Sequence, residues 1–316
     1  MSDSHAAPPR PLTVEHLGYL WEKGILTSAL AHLGPMPITR VTMPAEDAKR
    51  DLIAHGFLTS SDLLTSLGEQ IISALMAPDE SWWGIILLRS QATTGPIEVP
   101  DEWRRYGLES SVMTIPRVYF TLAYSGGLCA VAVRSGNNVS LASVKSVAPR
   151  DSQAAEILME ILNPRQEWKP AADFEELVIP HDVTAQMGKV GPTGNELLDS
   201  QVRIRRRRAY SERGMSDEDV SRTLDFLENT AQVAASMQVQ HMDSMGRTTP
   251  SAISVELLYN VGMVVVFPFA GFDRQWWLRI CKANMKNMLA AVRTVRELEH
   301  FAFEITENED PTTAGR

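Results

Sequence analysis

The feature that most restricts the fold of this sequence is a succession of elements that occurs twice. In the first half, apolar runs predict a strand at Trp82–Leu88, a long polar loop, three strands within 118–144 and a closing helix. In the second half the order recurs, with a strand at Met237–Met242, a loop, three strands within 253–281 and a helix from Met285. The repetition predicts two copies of one α+β module, joined about a pseudo-twofold axis.

The turn between the second and third strands is alike in the two copies. Leu122-Ala123-Tyr124-Ser125-Gly126-Gly127 in the first corresponds to Leu257-Leu258-Tyr259-Asn260-Val261-Gly262 in the second. Residues of this kind between apolar runs are typical of antiparallel hairpins. We therefore expect an antiparallel sheet.

Composition shifts divide the chain into five segments. The predicted segments are a disordered tail (1–11), an N-terminal α+β half (12–163), an irregular connecting segment (164–210), a C-terminal α+β half (211–303) and a second disordered tail (304–316). The connecting segment is assigned as irregular because it combines prolines, glycines and a cluster of arginines.

Bulk composition restricts the classes of partner. The chain has 316 residues, 44% of them hydrophobic, and a formal net charge of -9, which opposes general binding to nucleic acid. A local exception is the arginine cluster, which indicates either a solvated linker end or a partner-binding patch. Its members are Arg203, Arg205, Arg206, Arg207 and Arg208. The start of the chain has no secretory signal and no run is long enough to span a bilayer, so we expect a cytoplasmic protein.

Motifs for catalysis, metals and cofactors are missing from the sequence. GxSxG, HExxH, EF-hand and GxGxxG patterns do not occur, and Gly188–Gly194 resembles a phosphate loop only superficially, because its lysine precedes the second glycine. The seven histidines are scattered, and Cys129 and Cys281 are far from any CxxC partner. We therefore predict no enzymatic activity, no cofactor and no metal.

Three stretches of the sequence share their apolar and turn patterns with a known family. The first runs from Ala45 to Pro78 and includes His55-Gly56-Phe57-Leu58. The second is Leu128–Leu162, and the third is Val255–Leu298, in which Gly262-Met263 stands where the family usually has Gly-Arg. On these stretches the sequence resembles the EspG family of type VII (ESX) secretion chaperones, and the resemblance extends over roughly Leu12 to Glu299.

The resemblance implies a fold and a partner. EspG proteins have a central antiparallel sheet flanked by two helical subdomains in quasi-twofold relation, and they bind the helical tip of the PPE protein in a PE-PPE heterodimer. The implied protein is a monomer or weak homodimer, with partner-binding residues in a long loop, a strand and a helix. These are Trp103, Arg104, Arg105 and Tyr106 in the loop, Val118, Phe120, Leu122 and Tyr124 in the strand, and Val220, Leu224, Leu227 and Glu228 in the helix.

Two other functions stay open at the level of sequence. An enzyme could assemble its site from scattered polar residues on an α+β sheet, where motif searches do not find it. A nucleic-acid-binding regulator could use the cluster Arg203–Arg208, although no helix-turn-helix or aromatic platform supports it.

Overall fold

The computed structural model describes residues 11–27, 30–35, 42–88, 117–147, 149–187, 195–229, 233–248, 252–258, 261–271 and 275–308. Within this part the chain forms eight α-helices, one short 3-10 helix (Ala31–Leu33) and nine strands. The helices are α1 (Val14–Glu22), α2 (Ala45–Ala54), α3 (Ser66–Met76), α4 (Arg150–Leu162), α5 (His181–Met187), α6 (Glu196–Glu212), α7 (Asp217–Asn229) and α8 (Met285–Asn308). The strands are β1 (Glu80–Leu88), β2 (Arg117–Ser125), β3 (Leu128–Ser135), β4 (Asn138–Lys145), β5 (Leu177–Pro180), β6 (Val233–Met242), β7 (Ile253–Leu258), β8 (Gly262–Ala270) and β9 (Trp276–Lys282).

The chain divides into two compact units. The first contains α1–α3, β2–β4 and most of β1, and the second contains α4–α8, β5, β7–β9 and most of β6. The strand order is β4-β3-β2-β1 in the first unit and β6-β7-β8-β9-β5 in the second. Strands β2–β4 pair antiparallel, as do β6–β7, β7–β8, β8–β9 and β9–β5.

The predicted fold class is confirmed. The protein is α+β with a large antiparallel sheet, and the order β1-β2-β3-β4-α4 is repeated as β6-β7-β8-β9-α8. The two hairpins foreseen from the sequence also form. Ser125 pairs with Leu128 at the β2–β3 turn, and Leu258 pairs with Gly262 at the β7–β8 turn.

In the first unit, α1, α2 and α3 supply a core that includes Leu20, Leu52 and Ile72, all almost completely buried. The buried guanidinium of Arg134 in β3 holds the segment after the 3-10 helix. Its Nη1 donates to the carbonyl oxygens of Leu33 at 2.9 Å and Pro35 at 2.8 Å. A buried charge of this kind is tolerated because its donors are satisfied.

In the second unit, one core cluster lies among β5, α6, α7 and β8. Ile179, Tyr210, Leu224 and Val264 are buried in it, as is Val220. Helix α7 begins directly after Ser216, whose hydroxyl oxygen accepts a hydrogen bond from the Asp219 backbone N–H at 3.1 Å.

Several predicted segment boundaries differ from the structure. Segment 164–210 is not irregular, since it contains β5, α5 and most of α6. Helix α4, assigned to the N-terminal half, belongs to the second unit, because Asp151 in α4 forms ion pairs with Arg293 and Arg296 of α8. Helix α8 continues to Asn308, past the predicted end of the half at residue 303. Residues 1–10 and 309–316, where tails were predicted, lie outside the described residues.

Candidate partner-binding surface

Helix α6 begins at a strong local signal. The Asn195 side-chain oxygen accepts hydrogen bonds from the backbone N–H groups of Leu197 at 3.1 Å and Leu198 at 3.3 Å. Glu196 and Asp199 in the first turn add negative charge where the helix dipole is positive. The helix therefore starts immediately after the glycine- and proline-rich stretch that ends at residue 194.

One side of α6 is fixed to the second unit. Tyr210 is completely buried, its hydroxyl lies 3.2 Å from the Thr184 hydroxyl, and burial raises the pKa of this phenol. Arg203 donates to Asp225 Oδ1 at 3.0 Å and to Glu228, both on α7, and these hydrogen bonds raise the pKa of its guanidinium. Packing and ion pairing together hold α6 against α7.

The arginine cluster is not an open basic patch. Arg207 donates to the Ser221 hydroxyl of α7 at 3.0 Å, and Arg208 pairs with Glu212 of its own helix at 2.8 Å. Arg206 is buried, and Arg205 is exposed without a partner among the described residues. The cluster lies on a helix rather than at a solvated linker end, and Arg203 and Arg208 are paired with carboxylates of the protein itself. This arrangement lends no support to a nucleic-acid-binding function.

The other side of α6 faces solvent and carries large aliphatic side chains. Leu197 is 77% exposed and Ile204, seven residues or about two turns later, is 64% exposed. We call this side the α6 outer surface and define it by Leu197, Leu198, Gln201, Ile204, Arg205 and Arg208. Aliphatic side chains clustered beside arginines on a solvent-facing helix are typical of protein interaction sites.

The residues predicted from the resemblance occupy three different environments. Trp103, Arg104, Arg105 and Tyr106 lie outside the described residues. Of the four β2 side chains that were predicted to contact a partner, three are completely buried and the fourth is partly buried. The buried ones are Phe120, Leu122 and Tyr124, and the partly buried one is Val118. With these three in the interior, they are not available for direct contact with a partner in this structure.

Helix α7 shows a similar outcome. Val220, Leu224 and Leu227, which the resemblance implied as partner contacts, form an apolar stripe along the helix, and all three are buried in the core of the second unit. Glu228 is exposed and accepts a hydrogen bond from Arg203. An apolar stripe at helical spacing indicates that one face of a helix is covered, but it does not identify what covers that face. Here the core of the second unit covers it.

The α6 outer surface was missed because segment 164–210 was predicted to be irregular. A signal was present in the sequence, since Asn195 is a good N-cap and no glycine or proline occurs from Asn195 to Glu212. Leu197, Gln201, Ile204 and Arg208 also follow one another at spacings of four, three and four. The five arginines obscured this pattern, because a charged run looks like a solvated segment.

The described part of the chain shows neither a metal-binding cluster nor a helix suited to crossing a membrane. Among those residues, no group of three or more His, Cys, Asp or Glu side chains is arranged to hold a metal ion. None of the described helices combines the length and the apolar character that a membrane crossing requires.

Comparison with known proteins identifies the fold. No protein-family model and no curated protein matches the sequence. Among solved structures, the chain is similar to the type VII secretion system chaperone EspG5 of Mycobacterium tuberculosis, solved in complex with the PE25-PPE41 dimer. The match covers 91% of this chain and 95% of that chain, with a TM-score of 0.57 and 17% sequence identity. The resemblance to the EspG fold that the sequence suggested is thereby confirmed.

Proposed function

We propose that this protein is a cytosolic type VII secretion chaperone that binds the helical tip of a PPE protein within a PE-PPE heterodimer. The fold supports this, because the chain shares it over 91% of its length with a chaperone that binds a PE-PPE dimer. The proposal includes that the protein catalyses no reaction.

The observation that carries the proposal is the α6 outer surface. Leu197 and Ile204 leave apolar area in water although α6 is anchored on its other side by Tyr210 and Arg203. A rigid helix that exposes aliphatic groups beside Arg205 gives an apolar partner helix a surface to pack on. The guanidinium of Arg205 can also donate to polar groups at the edge of such a contact.

Chaperoning of this kind requires only differential binding. Covering an apolar helix tip removes surface from water at about 25 cal/mol per Å², and no bond is made or broken. A mixed apolar and charged surface favours a reversible contact over a permanent one, because charged groups at the edge are easily rehydrated. Reversibility is what a chaperone needs if it is to release its cargo for export.

Of the three predicted contact regions, the proposal keeps one and replaces two. The loop that contains Trp103, Arg104, Arg105 and Tyr106 is retained as a second contact, because its aromatic and basic residues suit an interface. The buried side chains of β2 and α7 are replaced in the proposal by the α6 outer surface.

The test is a binding measurement with a double variant, Leu197→Asp and Ile204→Asp. Full burial of a large aliphatic side chain contributes about 1.5–3 kcal/mol. Scaled by exposures of 77% and 64%, the two side chains together contribute about 2–4 kcal/mol, or roughly 30- to 1,000-fold in Kd. Calorimetry with a co-expressed PE-PPE heterodimer measures this loss.

The matched control is Leu63→Asp, because Leu63 is 65% exposed but lies in the first unit. It should leave the Kd unchanged. A double variant that binds as tightly as the wild type would remove the α6 outer surface from the interface. A wild-type protein that binds none of the PE-PPE heterodimers of its own organism would refute the chaperone function itself.

A further inference from the structure

A groove in the second unit takes no part in the surface described above. It is formed by residues 173–177 before and at the start of β5, by α7 and by the β7–β8 turn, and its volume is about 440 Å³. Its apolar lining consists of Phe174, Leu177, Phe226, Leu258 and Val261. The Phe174 and Phe226 rings meet edge to face with centroids 5.7 Å apart. A groove of this volume and lining is typical of sites that enclose a ligand group.

Charge at the edge of the groove is predominantly negative. Three carboxylates line it, those of Asp173, Glu175 and Asp225, against one guanidinium, that of Arg222. Arg222 pairs with Glu175 at 3.0 Å, and Asp225 is paired with Arg203 at 3.0 Å. Asp173 is exposed and has no partner among the described residues. An unpaired carboxylate therefore lies beside an apolar floor.

We propose that this groove binds a protein segment that presents one bulky apolar side chain next to a lysine or arginine. The apolar side chain would pack against Phe174 and Val261, and the cation would pair with Asp173. An acidic segment would be repelled by the unpaired carboxylate of Asp173, and a purely apolar one would leave Asp173 without a partner. The inference goes beyond the proposed chaperone function, since it concerns a different surface and needs no PE-PPE protein.

The experiment uses two dipeptide probes on the full chain, Ac-Trp-Lys-NH2 and Ac-Trp-Glu-NH2. Both present the same indole, and only the charge of the neighbouring side chain differs. Titration followed by NMR should show weak binding of the lysine probe, with a Kd on the order of 1 mM. The glutamate probe should bind about fivefold more weakly, the upper end for one exposed ion pair.

Four variants assign the binding to the groove. Asp173→Asn should abolish the preference for lysine, whereas Glu218→Gln, the same charge change on α7 but off the groove lining, should preserve it. Phe174→Ala should weaken both probes about tenfold. Because Phe174 is half-buried, Val261→Lys at an exposed groove position provides a variant that spares the core, and it should weaken the lysine probe.

The outcomes separate cleanly. Preference for the lysine probe that Asp173→Asn removes and Glu218→Gln retains supports the proposal. Equal affinity for the two probes, or no binding of either at millimolar concentration, overturns it. Neither probe derives from a PE or PPE protein, so failure here leaves the result of the PE-PPE binding assay unaffected.

Discussion

The glycine at the start of β8 provides a sharp test of how this fold is held together. Gly262 has φ +114, a conformation that side chains other than hydrogen rarely allow. A Cβ at this position would lie 2.8 Å from the Lys169 carbonyl oxygen and 2.9 Å from the Ala171 nitrogen. Both are backbone atoms, so no flexible side chain can move aside.

These same atoms take part in two hydrogen bonds with the next residue. Met263 N–H donates to the Lys169 oxygen at 2.8 Å, and Ala171 N–H donates to the Met263 oxygen at 3.0 Å. For Gly262→Ala, backbone strain costs about 1–3 kcal/mol. Loss of the two hydrogen bonds adds about 0.5–1.5 kcal/mol each. The expected decrease in the free energy of unfolding is therefore about 2–6 kcal/mol, a large part of the usual total of about 5–15 kcal/mol.

A matched control exists at the equivalent hairpin of the first repeat. Gly126 also has a positive φ, +56, but a Cβ added there would meet no atom within 4 Å. Gly126→Ala should therefore cost only the left-handed backbone penalty, about 1–2 kcal/mol. Urea unfolding followed by circular dichroism measures both variants. If Gly262→Ala is no more destabilising than Gly126→Ala, the close approach at Gly262 does not limit stability and the reasoning is wrong.

Two further predictions follow from buried ionisable groups. Burial lowers the pKa of His16 below its ordinary value of about 6.5, although the charge of Asp51 acts in the opposite direction. As the pH falls, His16 is therefore protonated in the unfolded chain before it is protonated in the folded protein. The free energy of unfolding should consequently fall as the pH drops from 7 toward 5. In the variant His16→Gln, the new side chain can still accept the hydrogen bond from the Thr13 backbone N–H. This variant should show a smaller slope of urea midpoint against pH. An unchanged slope would exclude His16 as a source of the pH dependence. Burial raises the pKa of the Cys281 thiol to about 11. At pH 8, Ellman's reagent should therefore leave Cys281 unmodified in the native protein but modify it in the urea-unfolded chain. Rapid modification of Cys281 in the native protein would contradict this prediction.

Element types could be predicted from the sequence because apolar periodicity is a local property. The strand at Trp82–Leu88 and the hairpin at Gly126 both depend on residues close together in the chain. The structure contains both, with β1 at Glu80–Leu88 and a β2–β3 turn through Gly126. Helix α4 ends at Leu162, directly before Asn163-Pro164, because helical geometry is disfavoured for a residue that precedes proline.

The candidate surface could not be predicted in the same way. Leu224 and Ile204 are both aliphatic residues on helices, yet one is buried in the core of the second unit and the other is 64% exposed. Periodicity shows which residues share a face, but the area removed from water depends on what packs against that face. The same limit explains why Phe120 was proposed as a contact and is found completely buried.

The sequence by itself determined the α+β class, the antiparallel hairpins and the repeated order of elements, because turn chemistry and residue spacing act over a few residues. Tertiary structure alone decided which apolar faces are covered, which arginines are paired, and at which position the close approach of another backbone segment leaves no room for a side chain. Arg203 is engaged because Asp225, more than twenty residues along the chain, lies 3.0 Å away on a neighbouring helix. Such contacts depend on packing between segments distant in the chain, and no local pattern encodes that packing.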